Sequence, residues 1–146
     1  MASIFEIAGK MERINLNILA AQAIEENEDD INKRNREQLE KGTDRNGKKI
    51  KPKYKSKSYA KRKNKMNSAA GLGTPDLKVT GQLHDEIGVI VEGVDVFVTS
   101  FDEKMKYKSI QQYLPNAFGL NRKNQTENRQ LNNRTLIRNF KKLTGL

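Results

Sequence analysis

Only one long stretch of this chain, Pro75 to Phe101, carries an apolar pattern that can build a sheet, and it constrains everything around it. Ile87, Val89 and Val91 alternate along it. Val94, Val96 and Val98 follow after Glu92-Gly93, a two-residue break ending in the residue that most easily takes positive φ. The pattern predicts an antiparallel β-hairpin in which Val91 faces Val94, Val89 faces Val96 and Ile87 faces Val98, with all six side chains on one buried face. The opposite face then sets Gly88 across from Phe97 and Ile90 across from Asp95. That mixed surface is expected to be half exposed or covered by another subunit. A lone hairpin is not stable in water, so helices or neighbouring chains must pack on it.

Upstream, Ile4, Phe5, Ile7, Met11, Ile14, Leu16, Ile18, Leu19 and Ala23 recur at helical spacing. Gly9 is expected to separate a short first turn from a long helix ending near Leu39, whose apolar stripe narrows after Ala23. Gly42 stands where a C′ glycine would close that helix. Downstream, Asp102 is positioned to cap a helix containing Met105, Ile110 and Tyr113 and ended by Pro115. Leu131, Leu136, Ile137, Phe140 and Leu143 fit a last amphipathic helix stopping at Gly145. The expected class is α+β: a long N-terminal helix, a central antiparallel hairpin or small sheet, a long basic loop and a C-terminal helix. The 146 residues, 35% of them hydrophobic, suffice for one domain with a modest core. Within 1–146 the divisions are an N-terminal helical region (1–41), a basic flexible arm (42–76), a hairpin core (77–101) and a helical C-terminal region (102–146).

The formal charge of +10 is concentrated in that arm. Residues 1–40 hold five basic and nine acidic residues, whereas residues 41–65 hold twelve basic ones against Asp44 alone. Lys49, Lys51, Lys53, Lys55 and Lys57 recur every second residue, which on an extended chain places five ammonium groups on one edge. Asn46-Gly47 marks a turn, and a short helix is expected from about Ser58 to Met66. So much like charge predicts a largely disordered Lys48–Gly73 in an isolated subunit. Lys49, Lys51, Lys53, Lys55, Lys57, Lys61, Arg62 and Lys63 are the candidate contact residues. Their partner is either the acids Glu25, Glu26, Glu28, Asp29 and Asp30 of a neighbouring subunit or nucleic-acid phosphates, with Tyr54 and Tyr59 available to stack on bases.

Catalytic chemistry has little to work with. The chain has no cysteine and a single histidine, His84, read as a polar residue on the helical turn before the first strand. Pro75-Asp76 followed by Asp102-Glu103-Lys104 meets the permissive PD…(D/E)xK pattern of metal-dependent nucleases, which need two acids converging on Mg²⁺. Here one acid precedes the strands and the other follows them. No catalytic residue, metal or cofactor is expected. No apolar run approaches the roughly 20 residues of a membrane span, and the opening MASIFEIAGK has no basic segment ahead of an apolar one, so neither a membrane partner nor a secretion signal is expected.

Three stretches together resemble the tail-completion family of tailed bacteriophages, also called the virion-morphogenesis or head-tail joining family. Gln38 to Ile50 is similar to that family's helix end and G-x-D-x-x-G turn before a lysine-rich run. Leu77 to Ile87 resembles its L-x-x-T/S-G-x-L-x-x-S-I element with the hairpin behind it. Tyr107 to Leu120 resembles the segment in which a tyrosine and a glutamine-rich turn precede a proline, an F-x-G-L-like element and a final helix. Leu114 stands where that family usually has glycine, and Pro115-Asn116-Ala117 lacks its common arginine. The resemblance implies an α+β structural subunit without an active site. Such a subunit assembles with copies of itself into a ring at the head-tail junction or upper tail, contacts other neck and tail proteins, and has genomic DNA in its channel.

Overall fold

The helical pattern from Ile4 to Leu39 is cut by two asparagines into three helices, α1 (Ile4–Glu12), α2 (Leu16–Glu26) and α3 (Glu28–Glu40). Asn15 caps α2, its side-chain oxygen accepting from the backbone N–H groups of Asn17 and Ile18 at 3.0 and 3.3 Å. Asn27 separates α2 from α3, and its Nδ2 reaches Ala23 O, Asn132 Oδ1 and Thr135 Oγ1 at 2.8 to 3.0 Å. Gly9 lies inside α1 and breaks nothing. The expected single long helix is therefore corrected: asparagine side chains, offering the backbone alternative hydrogen bonds, set the breaks.

The computed structural model describes residues 2–78, 81–93, 95–106 and 114–146. Among these, α4 (Lys57–Met66), α5 (Gln82–Asp85), β1 (Ile87–Glu92), β2 (Asp95–Ser100), a 3₁₀ turn (Glu103–Lys106) and α6 (Arg122–Thr144) follow α3. The fold is α+β, with α2 along α6 and α3 across β1. The C′ glycine is borne out: Gly42 has φ 62°, and its N–H donates to Leu39 O at 2.8 Å. A Cβ there would meet Thr74 Cγ2 at 2.6 Å, so close packing reinforces the conformational requirement. Gly145 ends α6 as expected, at φ 80°. Met105 is buried in the 3₁₀ turn, whereas Ile110 and Tyr113 lie outside the described residues, as does the first half of Tyr107 to Leu120.

The hairpin exists, but its register is shifted by two residues from the expected one. Val91 pairs with Val96, Val89 with Val98 and Ile87 with Ser100. Gly93, at φ 62°, takes the first loop position instead of the second, and Glu92 and Asp95 form the closing pair. A two-residue shift preserves which side chains share a face. Ser100, rather than Val98, now lies opposite Ile87, and its hydroxyl donates to Leu83 O at 2.8 Å. The other face is also re-paired, Ile90 with Phe97 and Gly88 with Thr99. Val94 lies outside the described residues. Burial fades toward the turn: Ile87 is buried and Val98 half-buried, but Val96 is 39% exposed, so the expectation of six buried side chains fails at that residue.

The core is small. Leu39, Ile50, Ile87 and Ala117 form its buried centre, with Leu77, Val98, Leu114 and Phe118 packed against it. Beside it lies a polar knot. Gln38 is 4% exposed; its Nε2 donates to Gly119 O (2.9 Å) and Asp44 O (3.2 Å), and its Oε1 accepts from Asn121 N and Asn124 Nδ2, both at 2.9 Å. Asn35 Nδ2 also donates to Gly119 O, at 2.8 Å. One side chain thus joins the end of α3, the following turn, the Gly119 segment and the start of α6.

Gln38→Leu fills the space but orphans several of these groups, each at about 1–3 kcal/mol. We expect a loss of roughly 2–4 kcal/mol in urea unfolding with an unchanged slope. Gln130→Leu on the exposed side of α6 should move stability by less than about 0.5 kcal/mol. Equal effects at the two positions would contradict the knot's importance.

Candidate functional site

The eight basic residues singled out from the sequence do not form one edge. The chain bends at Lys51, Pro52 and Lys55, and Tyr54 N donates to Gly73 O at 2.9 Å, which breaks the alternation. Lys49 Nζ donates to Lys41 O at 2.7 Å and Ala70 O at 2.8 Å, holding the two ends of the segment together. Lys63 points inward. Lys51, Lys53, Lys55, Lys57 and Lys61 are exposed, and the Arg62 guanidinium lies 5.1 Å over the Tyr59 ring, which meets Tyr54 edge-on at 4.9 Å between centroids. The expected disorder of Lys48–Gly73 is corrected accordingly: Ile50 belongs to the core, Asp44 Oδ1 accepts from Asn46 N and Lys48 N at 2.9 Å, and Ser56 caps α4. Local turn chemistry and one buried isoleucine anchor the segment despite its charge.

Lys63 forms a buried ion pair with Asp76 at 2.8 Å, the side chains 8% and 2% exposed, and also donates to Lys78 O. Burial alone would push the Asp76 carboxyl up. Lys63, Asn67 Nδ2 at 2.9 Å and the Lys78 N–H outweigh it and hold the group below its ordinary value. Tyr54 is pushed up to about 12, first by burial and then by the Asp76 charge. His84, 2% exposed on α5, has Nε2 at 2.7 Å from Asp76 O, so that nitrogen donates and the buried Nδ1 has no hydrogen-bond partner. Burial lowers the imidazole pKa below 6.5 and keeps the ring neutral. Its placement on the turn before β1 agrees with the sequence reading. The Asp76 carboxylate of the nuclease-like pattern is therefore committed to Lys63, Asn67 and Lys78 N. Asp102 is also buried, beside the Ser100 hydroxyl that accepts from its N–H at 3.3 Å.

The acids proposed as partners of the basic segment are largely used within the subunit. Glu26 pairs with Arg138 at 2.6 Å, Asp30 with Arg34 at 2.7 Å, and Glu28 Oε1 accepts from Val89 N at 3.1 Å. Glu25 and Asp29 are exposed.

Two features escaped the sequence reading. A groove of about 580 Å³ opens between α2, β2 and α6, with walls that include Ile24, Val98, Leu120 and Leu136; among the described residues, Arg45 and Arg129 are the only charged ones that line it. Exposed apolar side chains cluster on α1 (Ile4 76%, Phe5 86%) and on the outer hairpin (Ile90 37%, Phe97 50%, Phe101 58%). No periodicity signals the groove, since its walls come from three segments far apart in sequence.

The chain matches no protein-family model, no curated protein and no solved structure. Among the described residues, no helix is long and apolar enough to cross a membrane.

Two stability measurements test the buried pair and its histidine neighbour. Lys63→Ala strands a buried carboxylate and should cost about 3–5 kcal/mol, whereas Lys61→Ala on the exposed side of the same helix should be close to neutral in denaturant unfolding at neutral pH. For His84 the unfolded chain binds the proton more readily than the folded one. Its contribution is complete above pH 6.5 and is lost as pH falls through the lower folded value. Tm should therefore fall on going from about pH 7.5 to about pH 5, and His84→Gln, which keeps a donor toward Asp76 O, should flatten that limb. The Asp76 contribution should survive in this variant until pH falls below 3.8, because its folded pKa is the lower one. An unaltered pH profile in His84→Gln would remove the histidine from this account.

Proposed function

We propose that this chain is a structural subunit of a tailed-phage virion, a tail-completion or head-tail connector protein that closes into a homo-oligomeric ring. It resides in the virion at the head-tail junction or upper tail, after synthesis in the host cytoplasm, and meets other neck or tail proteins above and below. It is not an enzyme. The observation that carries the reading is convergence. The three stretches bearing the family resemblance are separated in sequence, yet Leu39 and Ile50 from the first, Leu77 and Ile87 from the second, and Leu114, Ala117 and Phe118 from the third meet in one core. Arg45 N also donates to Asn116 O at 2.9 Å, joining the turn of the first stretch to the third. Those short motifs thus supply all of this core but Val98. The apolar side chains left on α1 and the outer hairpin suit a subunit that is completed by neighbours.

A nucleic-acid role is the second reading, favoured by the exposed lysines. Lys51, Lys53, Lys55, Lys57 and Lys61 have no ion pair among the described residues, and the acids that a second copy would offer are mostly engaged. Phosphates of DNA threading the ring satisfy them better. The two readings are compatible, and one set of variants separates them.

In sedimentation at moderate salt the wild-type chain should run as a closed ring with a discrete mass; a monomer at all concentrations would contradict the structural assignment. Replacing Lys51, Lys53, Lys55, Lys57 and Lys61 with serine, while keeping Lys49 and Lys63 for the fold, should leave the ring intact and abolish salt-sensitive DNA retention. Collapse of that variant to monomer would instead make these lysines subunit contacts.

A further inference from the structure

Among the described α-helices, α1 alone has no buried residue. It is nevertheless a well-specified helix. Ser3 Oγ accepts from Glu6 N at 3.2 Å, and Glu6 Oε2 accepts from Ser3 N at 2.8 Å. One side of it rests near the end of α6. Ile4, Ala8 and Glu12 recur at four-residue spacing and share another face with Phe5 beside them. That face is exposed along its whole length, with Ile4 at 76% and Phe5 at 86%. The helix thus presents two large apolar side chains at its tip and one acid a turn or two further along.

The groove between α2, β2 and α6 has the complementary character. Its volume is about 580 Å³, and a cavity of about 150 Å³ already accepts a benzene-sized ring, so Phe5 and Ile4 fit together. Its walls set apolar side chains, Ile24 and Leu136 among them, beside the amides of Gln125, Asn128, Asn132 and Asn133. Among the described residues, its only charged lining residues, Arg45 and Arg129, have no ion-pair partner. Glu6 is engaged in the cap, so the acid that this face offers is Glu12, which matches the two positive charges of the socket.

We infer that the Ile4-Phe5 tip of α1 in one copy seats in the α2–β2–α6 groove of the next copy, with Glu12 facing Arg45 and Arg129. This deepens the ring reading and rests on it. Plug and socket are different surfaces of the same subunit, so the contact is head-to-tail, repeats from copy to copy and closes when the rotation allows. Burial of the apolar tip drives the contact, and the acid-arginine match selects orientation. The seat requires no refolding, because the plug is already helical and its face is already free.

Complementation of two full-length variants tests the contact by sedimentation velocity. Phe5→Asp spoils the plug and leaves the groove intact; Asn133→Trp obstructs the groove from an exposed position on α6 and leaves the plug intact. Each alone should be monomeric and should unfold cooperatively, since both positions are exposed. An equimolar mixture should yield a heterodimer with one intact contact and nothing larger. Ala20→Trp, on the opposite wall, should behave as Asn133→Trp does and guards against a local folding defect. A wild-type ring that persists in Phe5→Asp or in both groove variants overturns the inference but leaves the ring reading standing, and assigns the groove to another protein or a small amphipathic anion. Monomeric variants whose mixture stays monomeric also overturn it. A wild-type chain that never assembles removes the ring reading and this contact together.

Discussion

The Gln38 amide is the constraint on which the arrangement of the chain depends. Its four hydrogen bonds join elements that the small apolar core does not hold by itself: the end of α3, the Asp44 turn, the Gly119 carbonyl and the first turn of α6. Both donor hydrogens and both acceptor positions of the amide are used, so its burial incurs no unsatisfied group. Asn35, fully buried one turn earlier on α3, adds a second donor to the same Gly119 carbonyl. The position of α6, and with it one wall of the groove, follows from these contacts. A chain with so few large apolar residues fixes its helices through directional polar contacts, which specify geometry more sharply than burial does.

Charge plays an unexpected structural role. The basic segment does not repel itself into disorder because its lysines are divided between two tasks. Lys49 and Lys63 supply ammonium groups to carbonyls and to Asp76, closing the loop on itself and onto the Asp76–Lys78 segment. The remaining lysines stay in water, where they repel one another weakly. Removing a charge from the first set damages the fold. Removing one from the second alters only the surface field. The same division holds for the acids, since Glu26, Glu28 and Asp30 fasten α6, β1 and α3 instead of waiting for a partner.

What the sequence made legible were features specified locally. Gly42 and Gly145 were readable as helix ends because few residues tolerate positive φ, and the hairpin because valines alternate; α4 was placed from about Ser58, one residue late, without its Ser56 cap. The two-residue error in register was invisible to alternation, since both pairings leave the same side chains on the same face. It was decided by which loop position Gly93 fills and by the Ser100–Leu83 hydrogen bond, a contact outside the strands. Burial of Lys63 was equally out of reach, because nothing in a lysine run marks the member that finds a buried carboxylate thirteen residues on. The groove and its two arginines depend on how three distant segments dock.

The two sides of the sheet are protected unequally. A two-stranded ribbon has two free edges, and exposed edges invite pairing with other chains. On the β1 side the problem is solved within the subunit, where α3 packs across and the Glu28 carboxylate takes up the Val89 N–H. Phe101 lies over Gly88 so closely that a Cβ there would sit 2.3 Å from its ring, which seals that end of the ribbon. Among the described residues, the β2 side has no such cover. Val96 and Phe97 remain exposed at the margin of the groove, and Ile90, which pairs with Phe97, is exposed as well. Whatever fills the groove also shields this side of the ribbon, so a single docking event would relieve both the unfilled apolar volume and the unprotected strand. Among the described residues the ribbon is thus covered on its β1 side and open on its β2 side, the asymmetry that the proposed head-to-tail contact would use.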